Sequence, residues 1–264
     1  MGAKDLPIFQ LLLLGLFILP ILALNYRLKL HINATLLKSV VRMCLQLGFV
    51  GLYLEFLFRF NSAVLNVIYL LIMVCIACQS IIRSSMLRLR FLFPPVFFAL
   101  LIPFSFVLLI FNSVVVQIDN LFDAKYLIPI GGMLLGNCLR SIIIGLTHFY
   151  SGIRQEEKKY LFSLNLFGSK ITALKPYFKE SIVNAITPTM ASMATIGLVS
   201  LPGMMTGQIL GGSIPLVAIK YQIAIMFSIF YTEYFSVVLS IIFSLRIAFD
   251  DMDVLNRAIF IPKK

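Results

Sequence analysis

Six long apolar runs and one shorter one alternate with short basic stretches along this chain. Residues 6–24, 64–82, 91–116, 126–139 and 221–232 contain no charged side chain. A helix covers the hydrocarbon layer with about 20 apolar residues. The pattern predicts an all-α, polytopic membrane protein with about seven transmembrane helices, at 6–24, 36–58, 64–82, 91–116, 126–150, 182–201 and 215–245. Composition agrees, at 60% hydrophobic and 12% charged residues, where soluble domains carry about 25% charge.

The loops assign the sides. Arg27, Lys29 and Lys38 follow the first predicted helix, and Arg83, Arg88 and Arg90 follow the third. Arg154, Lys158, Lys159, Lys170, Lys175 and Lys179 follow the fifth, and Arg246, Arg257, Lys263 and Lys264 the seventh. The alternate loops hold Lys4, Arg59 and Lys125. Basic residues in short loops stay cytoplasmic. The N-terminus is therefore expected outside, with the C-terminus and the long loop at 151–181 inside. The formal charge of +11 then sits beside membrane ends, where it orients helices and meets anionic membrane lipid; no nucleic-acid partner is expected. Lys4 is offset by Asp5, and no small-x-small cleavage site follows residues 21–24, so the first run reads as a retained span and not a signal peptide. Cys44, Cys75, Cys78 and Cys138 all fall inside predicted helices. Cys75-x-x-Cys78 has no second pair or nearby His to complete a metal or redox site, and reads as packing.

No linker rich in Pro, Gly or Ser divides the chain and no internal repeat is visible, so 1–264 reads as one transmembrane domain. Two segments change character. Residues 156–167 read EEKKYLFSLNLF: Glu156, Glu157, Lys158 and Lys159 open a helix in water, and Tyr160, Leu161, Leu164 and Phe167 form an apolar stripe. Gly168 is the predicted stop, and a second helix is expected from Pro176 towards the membrane. Such an amphipathic helix either lies on lipid or is presented to a soluble partner, as coupling helices are to ATPase subunits; amphipathicity does not separate the two. Residues 197–213 carry five glycines and Pro202, which no straight helix supports. Irregular backbone at membrane depth is tolerated where it is buried in protein or lines a watery cavity. The segment reads either as a substrate route or as a tight external turn.

Polar groups interrupt three of the predicted spans. Arg42 and Gln46 lie four residues apart on the second, Asn137 and Arg140 three apart on the fifth, and Lys220, Gln222 and Glu233 lie on the seventh. Intramembrane charges face the bundle interior, paired or in water, so Arg140 and Glu233 are a candidate ion pair. Met204 and Met205 offer soft donors that suit a metal such as Cu(I), or pack as lipid-compatible side chains. No phosphate-binding Gly-x-x-x-x-Gly-Lys loop, His-Glu-x-x-His or Gly-x-Ser-x-Gly occurs, so no enzyme activity is expected and any energy must come from elsewhere.

The run Thr195-Ile-Gly-Leu-Val-Ser-Leu-Pro-Gly-Met-Met-Thr-Gly-Gln-Ile-Leu-Gly-Gly-Ser213, with Pro215 and Ile219-Lys-Tyr-Gln-Ile223, resembles permease subunits of the FetB/YbbM type (UPF0014), which include plant aluminium-tolerance membrane proteins. Arg42 with Gln46, Ile128-Pro-Ile-Gly-Gly-Met133 leading to Gly136-Asn137, Glu156-Glu157 and Leu164-Asn-Leu-Phe-Gly168 support it. The resemblance covers residues 35–245. It implies an ABC transporter permease that carries no cofactor itself and pairs with a separate ATP-binding subunit holding ATP and Mg2+, in a complex of two permeases and two ATPases. Bacterial members of the family are associated with iron export, and plant members with aluminium tolerance, with a nucleotide sugar as suggested cargo in one case. Arg140 and Glu233 depart from the uncharged residues expected at those positions.

The sequence thus predicts the permease of an ATP-driven exporter, for metal ions such as iron, in the bacterial inner membrane. Glu156, Glu157, Tyr160, Leu161, Leu164, Phe167 and Gly168 are expected to couple to the ATPase. Arg42, Gln46, Asn137, Arg140, Pro202, Met204, Met205, Gln208, Lys220 and Glu233 are expected along the translocation path. The competing readings are a membrane scaffold that recruits a soluble partner and an ion-coupled carrier that uses Glu233.

Overall fold

A computed structural model of the protein describes residues 7–261; Leu6 and the orienting residues Lys4, Asp5, Lys263 and Lys264 lie outside the described residues. The first apolar run forms two helices, α1 (Ile8–Gly15) and α2 (Ile18–Arg27). Pro20 explains the interruption. It has no N–H for the Leu16 carbonyl, which takes the Leu19 N–H in a tighter turn instead. α3 (Asn33–Phe60) ends on Asn61 in the left-handed conformation, φ +39°. Its backbone N–H caps Leu57, and its side chain accepts from the Ala124 N–H at 2.9 Å. Beyond that end, α3 makes little contact with the bundle and presents apolar side chains outward.

The remaining long helices form the packed body. α4 (Ala63–Ser84) packs on α5 (Leu89–Ile110) and on α6 (Ala124–Gln155). α5 continues into one π turn at Phe111–Val115. Six helical stretches are long and apolar enough to cross a membrane: Ile8–Arg27, Asn33–Phe60, Ala63–Ser84, Leu89–Val115, Ala124–Gln155 and Pro215–Ala248. The predicted span at 182–201 is not among them. It belongs to α8 (Lys170–Thr195), which is preceded by the short α7 (Glu157–Phe167) and Gly168, whose φ of +59° makes it the helix stop. α8 also starts earlier than expected. Ser169 caps it by accepting the Thr172 N–H, so Pro176 lies inside the helix and not at its first turn.

After Thr195 the chain reverses at Gly197 (φ +85°), whose N–H donates to the Ser200 carbonyl at 2.9 Å. It forms the eight-residue α9 (Gly203–Leu210) and turns again at Gly212 (φ +99°). It then enters α10 (Pro215–Ala248). An eight-residue helix rises about 12 Å and cannot cross the layer. The segment 196–214 is therefore a broken element and not a span, packed on α10 through α9.

α10 is the central helix, packed against α5, α6 and α8. Its buried seam is Ser228, Thr232, Ser236, Ser240 and Ser244, every fourth residue. Small residues on one face let membrane helices approach closely. The approach is closest at Gly145 of α6, where a Cβ would lie 2.8 Å from Val237 Cγ1 and 3.6 Å from the Ala185 Cβ. Gly145→Val is expected to force α6 from both α10 and α8, costing about 1–3 kcal/mol. Thermal unfolding in detergent checks this: the melting temperature falls for Gly145→Val and holds for Gly136→Ala, where a Cβ meets open space.

Candidate functional site

α6, α8, the broken segment 196–214 and α10 enclose a cavity of about 340 Å3. Met133, Asn137, Arg140 and Ser141 reach it from one face of α6, and Thr189 and Ser192 from α8. Pro202, Gly203 and Met204 form its wall at the start of α9, and Gln222, Met226 and Glu233 come from α10. Asn137 and Ser141 follow Met133 at steps of four along α6 with Arg140 beside them, and the α10 residues are four and seven apart, so each helix presents a single stripe to the space.

Glu233 is 1% exposed, and its Oε2 accepts a hydrogen bond from the Thr189 hydroxyl at 2.7 Å. Other α8 hydroxyls, those of Ser181, Thr187, Ser192 and Thr195, donate to carbonyls of their own helix. Thr189 alone of these five reaches across to another helix. Asn137 Nδ2 donates to the Met133 carbonyl at 2.9 Å, which holds the amide along its own helix. Gln222 is 6% exposed and its Oε1 has no hydrogen-bond partner among the described residues. A buried amide oxygen without a partner costs about 1–3 kcal/mol, and this one lies packed behind the cavity wall.

The expected Arg140–Glu233 ion pair is corrected. Three ion pairs occur among the described residues, and this is not one of them. Both charges line the cavity, but Arg140 is exposed at its edge while Glu233 is buried against Thr189. Four of the residues assigned to a path from sequence share one cavity with Arg140: Asn137, Pro202, Met204 and Glu233. Met205, the next residue on α9, lines instead an adjoining apolar space beside Met193, Leu201 and Phe227, which shares Ile196, Gln222 and Met226 with the cavity. Successive helix residues diverge by about 100°, so the two methionines cannot act together on one ion. Gln208 is half-buried on α9, away from the cavity, and Lys220 lies in an apolar groove between α5 and α10. Arg42 and Gln46 are exposed on α3, which meets the bundle only near its C-terminal end. These four do not line the cavity. Thr189 was missed as a site residue, because one hydroxyl carries no signal until the helices are rotated into place, and Gln222, noted as polar in its span, was not placed on the path.

On the opposite side of the bundle, α7 is anchored by its own molecule. Tyr160 is 1% exposed, and its hydroxyl donates to the Asp253 carbonyl at 2.7 Å. Leu161 and Leu164 are half-buried against the core. Glu157 pairs with Arg257 at 2.7 Å, and Lys170 with Asp253 at 2.7 Å. Glu156 accepts from Lys159 at 2.9 Å and from the Tyr177 hydroxyl at 3.1 Å. These two bonds hold the Glu156 carboxyl below its ordinary value, Lys159 most strongly. Burial, then Glu156, pushes the Tyr177 phenol up to about 12, so it remains a donor at neutral pH. The chain after α10 also pairs with the α4–α5 turn through Arg88 N–H to the Ile259 carbonyl and Ile261 N–H to the Met86 carbonyl.

The stripe expected to meet a partner is therefore turned inward at Tyr160, Leu161 and Leu164. The outward apolar set is Phe162, Leu166, Phe167 and Ile171, exposed by 68%, 64%, 58% and 81%. Of the predicted stripe only Phe167 belongs to it. Gly168 ends the helix and places Ile171 beside this patch, at the start of α8.

The sequence model of the family described as "Uncharacterised protein family (UPF0014)" matches residues 8–249. The chain is 31% identical over 216 residues to the UPF0014 membrane protein YjkA of Bacillus subtilis, covering 81% of this chain and 84% of that one. It is 29% identical over 246 residues to the Probable iron export permease protein FetB of Escherichia coli, covering 91% of each. It is 30% identical over 204 residues to the Protein ALUMINUM SENSITIVE 3 of Arabidopsis thaliana, covering 77% of this chain and 73% of that protein. No solved structure matches.

Proposed function

Because the chain belongs to the uncharacterised protein family UPF0014, a family of multi-pass integral membrane proteins, we propose that it is the membrane-spanning permease subunit of an ATP-driven exporter. The observation that carries this reading is the cavity at the broken segment 196–214, lined in part by polar residues, with Glu233 buried in its wall. Broken helices and an ionisable group inside the membrane mark transport routes. Metal ions, iron first, are the proposed cargo, in line with the printed name of the Escherichia coli relative.

The power comes from a separate ABC-type subunit that binds ATP and Mg2+. Phe162, Leu166, Phe167 and Ile171 form the surface it docks on. Its closure moves α7 and α8 together, since Gly168 and Ser169 join them with no slack and Tyr177 bonds Glu156 across the turn. ATP binding then favours one orientation of the bundle over the other. Two permeases assemble through α10 and the broken segment 196–214. α8 supplies a seventh crossing, polar because it is screened by α6 and α10. The N-terminus lies outside and the C-terminus inside, in a plasma membrane or its bacterial inner-membrane equivalent.

Affinity purification of the tagged full chain from its native membrane is expected to bring down a nucleotide-binding subunit. In liposomes the pair should hydrolyse ATP faster when iron is added. An uncomplexed chain that transports iron without ATP would reject the reading. That outcome would favour an ion-coupled carrier, for which the buried Glu233 supplies the titratable group; its mark is a proton dependence abolished by Glu233→Gln.

A further inference from the structure

Resting on the export reading, we propose that the cargo crosses as a metal cation still bound to a small carboxylate chelator, the metal against Glu233 and the chelator's free carboxylate against Arg140. Two properties of the cavity point this way. The first is the poverty of its donors. Among the described residues that line it, Glu233 is the one carboxylate, and none is His or Cys. No cluster of three His, Cys, Asp or Glu exists among the described residues. Met133, Met204 and Met226 add only neutral thioethers. Glu233 has already committed one oxygen to Thr189. Such a set cannot replace the hydration or ligand shell of a hard or borderline cation, so the cation must bring its ligands with it.

The second property is Arg140. A guanidinium is always charged, and this one lines the same small space without an acidic partner within ion-pair distance among the described residues. Beside a bare divalent cation it would be repulsive. Beside a chelate with an uncoordinated carboxylate it is a planar, two-pronged receptor. Charge balance agrees: one positive and one negative group face a complex that carries both signs. The cavity of about 340 Å3 lies at the small end of the usual range for ligand sites, about 300–1,000 Å3. That suits a chelate of one small organic acid.

The test is calorimetric titration of the full chain in nanodiscs, under argon, with iron(II) chloride, sodium citrate, and an equimolar premix. The premix is expected to bind at least tenfold tighter than either component. Arg140→Gln is expected to reduce the premix to the affinity of iron(II) alone, and Arg140→Lys to recover part of the loss by restoring the charge. Should Arg140→Gln fail to fold, judged by its gel-filtration profile, the wild-type comparison decides alone. Iron(II) alone binding as tightly as the premix overturns the proposal, as does citrate alone doing so, or Arg140→Gln keeping the full preference. None of these touches the export reading, which stands or falls on the co-purified ATPase and its stimulation.

Discussion

Replacing both Phe162 and Phe167 by aspartate is expected to abolish stimulated ATP hydrolysis by the reconstituted complex while leaving the permease folded in the membrane. Both rings project outward from α7, at 68% and 58% exposure, whereas the opposite side of the helix is held by Tyr160, Leu161 and Leu164. The substitutions therefore remove little packing within the chain. Each ring seated in a partner's cleft contributes about 1.5–3 kcal/mol, and each aspartate adds a desolvation cost. A combined loss of about 4 kcal/mol corresponds to roughly a thousandfold in affinity. The measurement is ATPase rate against permease concentration, with membrane insertion and melting temperature as controls. Full stimulation by the double variant would mean that this surface does not dock the ATPase. Leu164→Asp is a poor probe, because Leu164 is half-buried and its loss damages the permease itself.

Glu233→Gln is expected to cut iron-stimulated turnover at least tenfold without unfolding the bundle. Glutamine keeps an acceptor for the Thr189 hydroxyl, now 2.7 Å from Oε2, and keeps the volume of the side chain. What it removes is the negative charge at the cavity wall. In a site screened from water a single charge on a cation is worth several kcal/mol, far more than the lost fraction of any neighbouring hydrogen bond. Efflux of iron from proteoliposomes loaded with the complex, compared at equal protein and equal melting temperature, reads the effect. Wild-type rates from Glu233→Gln would remove Glu233 from the path and leave it a structural tether of α8 to α10. Thr189→Val separates the two roles further. It should lower the melting temperature through the lost cross-helix bond while leaving some turnover.

Much of the candidate site was legible before any coordinate. Asn137, Arg140, Pro202 and Glu233 stand out because polar, charged or helix-breaking residues are costly in apolar runs, Met204 because it is a soft donor, and all five line one cavity. Met205, Gln208 and Lys220 stood out for the same reasons and lie elsewhere. Arg42 and Gln46 sit on a helix that hardly touches the bundle. A composition signal identifies a residue as unusual without saying which way its helix faces. The α7 stripe failed similarly. Tyr160, Leu161 and Leu164 are apolar because they pack under the chain that follows α10, and that chain shows in the sequence only as a few charged residues.

The sequence by itself determined the lipid-embedded, all-helical character of the protein, the position of most spans, the stop at Gly168 and the broken course of residues 197–213. Those properties follow from local quantities: the length of an apolar run, the missing N–H of proline and the φ freedom of glycine. Only the tertiary structure decided that Thr189 rather than Arg140 holds Glu233, that Met204 and Met205 part company, and that α7 shows Phe162 and Leu166 to its surroundings. These features depend on the rotation of each helix about its axis and on contacts between residues far apart in the chain. Thr189 and Glu233 are separated by 44 positions, and Glu157 and Arg257 by 100. No local pattern encodes a rotation that is settled by the packing of four helices at once.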